Sequence, residues 1–175
     1  MDDLIHQISL HVPVDDRERT SIHSFVALAP SLADPFDEHA DPVHVTASAV
    51  LVSDAGDKVA LHLHKRLGIW LQPGGHIEAG ETPADAALRE AVEEIGVPAR
   101  HHVEGGLFLH VDVHPGPKGH THLDLRYLVR APEVPPQPAD GESTQAGWFA
   151  WDRAGAMADP GLTGALAAAR VVLGR

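Results

Sequence analysis

Apolar positions change their period several times along the chain, and each change marks an element. Leu4, Ile5, Ile8 and Leu10 form a short apolar pattern that ends at Pro13. Ile22, Phe25, Val26 and Leu28 then give Asp15–Leu28 the apolar side of a second helix. Pro30, Pro35 and Pro42 break the chain beyond it, so residues 1–42 read as an N-terminal helical extension. Val43–Val52 alternates loosely and is rich in valine, which predicts a strand. Asp54–Asp57 is a turn and Lys58–His64 a second strand, the two pairing as a hairpin. Trp70–Gln72 is a short extended piece ahead of the tight turn Pro73-Gly74-Gly75. Val103–Val113 and His122–Val129 predict two more strands across the turn-rich segment His114–Gly119. Pro132–Gly141 is a proline-rich loop, Trp148–Trp151 a strand and Leu162–Leu173 a closing helix. Strands and helices mix without regular βαβ alternation, so the class is α+β, with residues 43–175 forming one mixed-sheet domain.

The firmest element lies at Ala84–Ile95. Thr82 is a natural N-cap, Pro83 suits the first helical position, and Asp85 completes a spacing like a capping box. Gly96 and Pro98 supply the stop. At about 100° per residue, Glu90, Glu93 and Glu94 fall within a ~100° arc. Ala84, Leu88, Ala91, Val92 and Ile95 are expected on the opposite, buried side. Like charges at these spacings cost a helix roughly a few tenths of a kcal/mol per pair, a repulsion that a divalent cation removes. Hard carboxylate oxygens suit Mg²⁺ or Mn²⁺.

An isolated acidic run is a solvated face, but its surroundings here point elsewhere. Pro73-Gly74-Gly75 allows backbone to approach a ligand closely. Glu78 and Glu81 add carboxylates in the adjoining loop, and Arg89 offers a fixed cation beside Glu90. Net charge changes the picture further. Thirteen Lys and Arg against 25 Asp and Glu leave −12, which repels nucleic-acid backbones while a bound metal still admits a small anionic substrate. The absence of cysteine excludes disulfides, thiolate zinc sites and thiol catalysis. Met1–His6 shows no basic region leading into an apolar run, and no stretch is long enough to span a bilayer. The expectation is cytoplasmic residence with no membrane and no nucleic-acid partner.

Residues 75–97, GHIEAGETPADAALREAVEEIGV, resemble the Nudix box, G-x5-E-x7-R-E-U-x-E-E-x-G-U with U apolar. Gly75, Glu81, Arg89, Glu90, Glu93, Glu94, Gly96 and Val97 all fall in register, and Ala91 takes the first U position. Trp70–Glu78 is similar to the lead-in of that family, Thr46–Val52 to its first core strand, and Trp148-Phe149 to its late strand. The resemblance implies an α/β/α sandwich on a mixed sheet. It also implies hydrolysis of a nucleoside diphosphate linked to another moiety, with Mg²⁺ or Mn²⁺ as cofactor. Carried over by position, Glu90 and Glu94 are the principal metal ligands, Glu93 is a third ligand or acts through water, and the Gly74 carbonyl completes the set. Arg89 and Glu81 brace helix and loop. The general base is Glu93 or Glu90. Glu142, in the loop before the late strand, is a further ligand, base or substrate contact. Gln145 stands three residues before Trp148, where relatives are frequently acidic.

Histidine is the other compositional signal, at 14 residues. His110, His114, His120 and His122 crowd two predicted strands, and alternation puts His120, His122, Asp124 and Arg126 on one face. That face reads as a substrate rim through Arg126, a second metal site, or simply a polar strand face. His76, inside the box loop, is a candidate substrate contact. Trp70, Trp148 and Trp151 either stack on a base or pack the core. Residues 1–42 close over the pocket, help to build a homodimer, or simply pack as a cap. The rival functions are a Nudix-fold binding or regulatory domain without turnover and an isomerase of prenyl diphosphates. Loss of box glutamates would favour the first, and none is lost; the intact box and missing cysteine oppose the second.

Overall fold

The computed structural model describes residues 1–175. Eight strands form one mixed sheet: β1 (Val43–Ser53), β2 (Lys58–Leu63), β3 (Trp70–Leu71), β4 (Gly74–His76), β5 (Arg100–His101), β6 (Leu107–Pro115), β7 (Thr121–Ala131) and β8 (Ala146–Ala150). β1 and β7 run parallel at its centre, in register from Val43 opposite Thr121 to Ser53 opposite Ala131. All other pairings are antiparallel: β2 and β4 against β1, β5 and β6 against β7, and β3 and β8 against β2. Five helices complete the fold: α1 (Asp2–Ser9), α2 (Asp16–Leu28), α3 (Pro83–Ile95), α4 (Trp151–Met157) and α5 (Pro160–Leu173).

Strand alternation sends successive side chains to opposite faces, so β1 and β7 feed two cores. Val45, Ala47, Ala49 and Leu51, with Leu123, Leu125 and Val129, pack against Ala84, Ala87, Ala91 and Ile95 of α3, in a cluster that also takes Ile8, Ile22 and Phe25 from α1 and α2. Val50, Val52 and Leu128 meet Leu162, Ala165, Leu166 and Ala169 of α5, and Trp151 of α4. The result is the expected three-layer α+β sandwich. No helix is long and apolar enough to cross a membrane.

The N-terminal helices are part of this packing. α2 lies along the free edge of β6, where the Val111 N–H donates to Glu18 at 3.1 Å and the Val113 N–H to Ser21 at 3.0 Å. Two open ladder donors are thereby closed, which blunts an edge that could otherwise pair with another chain.

Several expectations need correction. Trp151 does not end a strand; it opens α4, a helix too short to leave a periodic signature, with its indole N–H donating to the Gly56 carbonyl. The strand expected from Val103 starts at Leu107, because Val103–Gly106 turns through two glycines of positive φ. β4 forms where only a turn was expected, and β5 was not foreseen. Val92 is 43% exposed rather than buried. The packed face of α3 is centred on Ala84, Ala87 and Ala91, which puts Val92 outside it and draws Glu90 and Glu94 onto its flank.

Candidate active site

The local sequence builds the site in two pieces. α3 begins where Thr82 accepts from the Asp85 N–H and ends at Gly96, whose φ of 71° closes the helix in the left-handed region. Ahead of it, Gly74–His76 pairs with Thr46–Ser48 and carries the loop to the helix. Glycine is required at both turn positions. A Cβ on Gly74 would stand 2.2 Å from the Ser48 hydroxyl, and one on Gly75 would stand 2.4 Å from the Glu90 carboxylate.

Arg89 ties the pieces together. Its guanidinium donates to both Glu81 oxygens at 2.9 and 3.1 Å, to the His76 carbonyl at 2.9 Å, to Glu90 at 2.8 Å and to Glu93 at 3.1 Å. The Arg89 hydrogen bond holds the Glu81 carboxyl below its ordinary range. Glu81 in turn accepts from the Glu78 N–H at 3.0 Å, which closes the loop upon itself. Glu81, Glu90 and Glu93 therefore share one cation.

Glu90 and Glu94 are 14% and 13% exposed, whereas Glu93 is 46% exposed. Burial raises the Glu90 carboxyl despite Arg89, with Glu93 and Glu142 adding to the rise. Burial pushes Glu94 up to about 8, opposed by the Gly74 N–H that donates to it at 2.8 Å and reinforced by the charges of Glu90, Glu142 and Glu93. His62 of β2, absent from the sequence-based candidates, faces Glu94 at 3.6 Å and is itself lowered to about 4, chiefly by burial. Its position in β2 left no signal apart from the strand alternation that turns it toward α3.

Glu142 comes to this cluster through its loop. The Ala139 and Gln137 N–H groups donate to the Glu93 and Ile95 carbonyls at 2.8 and 3.1 Å, pinning the loop to the exposed end of α3. A groove of about 790 Å³ opens over Gly75, Arg89 and Glu90, and its walls carry Asp34, Asp37, Glu38, His39, His76, Glu78 and Glu81. Its single Arg is already saturated by carboxylates, so the groove itself repels a phosphate.

Arg126 requires correction as a rim residue. It is 2% exposed, donates to Asp124 at 2.8 Å and to Asp112 at 3.2 Å, and lies beneath Gly161 of α5. Alternation placed it on the right strand face, but α5 covers that face. The tryptophans pack: Trp70 meets Phe149 edge-on at 4.9 Å, and the Trp148 indole N–H donates to the Val134 carbonyl at 2.9 Å.

A family model described as NUDIX domain matches residues 42–168. The chain is 30% identical over 140 residues to a protein of Lactococcus lactis subsp. cremoris named "Probable DHNTP pyrophosphohydrolase", covering 75% of this chain and 80% of that one. It is 39% identical over 57 residues to phosphatase NudJ of Escherichia coli K12, a segment of 33% of this chain and 37% of that protein. Among solved structures, a NUDIX-family hydrolase from Clostridium perfringens superimposes with a TM-score of 0.60 at 28% identity, over 74% of this chain and 97% of the other.

Proposed function

The chain belongs to the NUDIX family of hydrolases acting on phosphorus-containing anhydrides, and from that premise we propose that it uses Mg²⁺ or Mn²⁺ to cleave the pyrophosphate bond of a nucleoside diphosphate linked to another moiety. The observation that carries this reading is the pair Glu90 and Glu94. Two carboxylates one helical turn apart are withdrawn from water, Glu90 at the foot of an acidic groove, and both are raised by burial and by the carboxylates around them. Uncompensated, that arrangement is costly; an all-oxygen donor set facing a divalent ion is its ordinary purpose. The name of the Lactococcus relative supports a pyrophosphate bond as the target.

Glu90, Glu93, Glu94 and the Gly74 carbonyl would hold the metal, with Glu142 as a further ligand or substrate contact. When bound, the metal supplies charge to the non-bridging phosphate oxygens and lowers the pKa of attacking water. The chain's own residues do the rest. Gly74 and Gly75 let backbone approach the phosphates without side-chain obstruction. Arg89 holds Glu90 and Glu93 in place and fixes the loop through Glu81. Glu93, the most exposed carboxylate of the three, takes the proton of the attacking water as the P–O bond breaks, releasing two phosphate-ended products. His76, on the groove wall, is positioned to contact the substrate.

The test is a panel of X-linked nucleoside diphosphates assayed with Mg²⁺, with Mn²⁺ and with chelator. Turnover of at least one member, abolished by the chelator, is the expected result. Measurable ligand binding with no turnover of any member would instead assign a binding domain.

A further inference from the structure

We propose that His44, His76 and His122 form a binding site for a zinc-type transition-metal ion, separate from the glutamate cluster. The three residues sit on three neighbouring strands. His44 of β1 and His122 of β7 are directly opposite in the parallel ladder, and His76 of β4 pairs with Thr46, two residues along β1 from His44. All three therefore share one face of the sheet. That face is opposite the one toward which Gly75 presents itself to Glu90, so the histidines and the box glutamates lie on different sides of the same strands.

The rings converge. Centroids are 5.1 Å apart for His44 and His76, 5.1 Å for His44 and His122, and 5.6 Å for His76 and His122. One ring nitrogen from each lies within 4.8 Å of the others. Tetrahedral zinc with Zn–N bonds of about 2.0–2.1 Å needs nitrogens about 3.3 Å apart, a contraction within reach of small side-chain rotations. One nitrogen of each ring also lacks a hydrogen bond. Nε2 of His44, of His76 and of His122 is buried without a hydrogen-bond partner, and His44 is fully buried. A buried polar atom without a partner calls for an explanation, and a bound ion supplies one.

Supporting contacts favour ligation. Nδ1 of His44 lies 3.2 Å from the Asp41 carbonyl; donating there leaves a lone pair on Nε2, the tautomer that metal-bound histidines adopt. A Cβ on Gly116 would stand 2.4 Å from Nε2 of His122 and 2.7 Å from both adjoining ring carbons. Such a position lies over the ring plane, so the glycine lets the 115–120 loop press flat on the imidazole and leaves the in-plane lone pair open. The Glu38 carboxylate lies 3.5 Å from Nε2 of His76 but outside the converging set, which leaves the fourth position to water. Three imidazoles select zinc-type ions over Mg²⁺. The bound ion would join β1, β4 and β7.

The experiment titrates chelator-stripped full-length protein with Zn²⁺ in excess Mg²⁺, without substrate. It reads stoichiometry by metal analysis, affinity by calorimetry, and geometry by the visible absorption of Co²⁺. One Zn²⁺ per chain, a tetrahedral Co²⁺ spectrum and a Tm raised by about 5 °C are expected. His122→Gln and His76→Gln should each weaken Zn²⁺ by roughly 100-fold or more, while Glu90→Gln retains it. If His122→Gln does not fold, the half-exposed His76→Gln decides alone. Absence of stoichiometric uptake, or uptake lost in Glu90→Gln and kept in the histidine variants, overturns the proposal. Neither result bears on Mg²⁺-dependent hydrolysis, which is measured separately.

Discussion

Glu94 and Glu93 are adjacent in sequence and differ in almost everything else. Glu94 turns toward the packed flank of α3, accepts from the Gly74 N–H and rises to about 8 chiefly through burial. Glu93 stays half in water on Arg89. The box spacing brought both to one helix side, yet only the packed helix shows which is desolvated, because alanines at 84, 87 and 91 let the sheet come close on the Glu94 side. Glu94→Gln should therefore lower turnover by about 100-fold or more while leaving the Tm of the metal-free protein unchanged or higher, since it removes a carboxyl whose ionisation burial opposes. Glu90→Gln should act on turnover in the same way. Steady-state hydrolysis and thermal melts of the same samples check this; full activity in either variant would show that its carboxylate is no ligand. Arg126 teaches the opposite lesson. Its strand position was legible, but the helix that buries it lies far along the sequence, beyond any local pattern.

Among the elements, long periodic segments were readable: α2, α3, α5, β1, β2 and β7 lie close to where apolar spacing put them. The short ones were less so. β3 falls within the extended piece expected at Trp70–Gln72, but β4 and β5 have three and two residues, too few for alternation to declare itself, and exist only because β1 and β7 offer them partners. The end of α3 shows how an element and the site depend on each other. Gly96 stops the helix at a φ of 71°, and a Cβ there would lie 1.7 Å from the Gln137 carbonyl. Gly96→Ala must bear roughly 1–2 kcal/mol for the left-handed backbone and also push back the loop that carries Glu142. We expect a destabilisation of about 2 kcal/mol or more by denaturant unfolding, together with reduced turnover. A variant as stable and active as the parent would mean that the loop is not held by this contact.

Across the whole molecule, one ionic network links the N-terminal helices to the centre of the sheet. Arg17 of α2 donates to Asp112 of β6 at 2.7 Å, and Arg126 of β7 reaches both Asp112 and Asp124 under α5. Thr46 and Ser48 of β1 donate to Asp124 at 3.1 and 2.8 Å. Burial alone would raise the Asp112 carboxyl; the His114 hydrogen bond, the Arg126 charge and the Arg17 hydrogen bond outweigh it and hold Asp112 well below the usual carboxylate range. A depressed carboxyl contributes stability that is complete above its unfolded pKa of about 3.9 and is lost as pH falls through the lower folded value. Tm should therefore drop steeply below about pH 4. Asp112→Asn should destabilise the protein at pH 7 by the roughly 3 kcal/mol typical of breaking a buried pair, lower its Tm and flatten the acid slope. An unchanged acid slope in that variant would show that other carboxylates govern it. The network also shows why residues 1–42, legible as helices, left their role open between a packed cap and other uses: nothing local says that Arg17 finds its partner in β6.

The loop bonded to Trp148 has a practical consequence. The Val134 carbonyl that accepts the Trp148 indole N–H begins the same loop that ends at Glu142. Displacing that loop alters the polarity and hydrogen bonding of one fluorophore, while Trp151 stays sealed against Gly56 and Trp70 against Phe149. The protein thus carries an intrinsic optical reporter, and the arrival of a ligand at the glutamates can be followed by tryptophan emission without attaching a label.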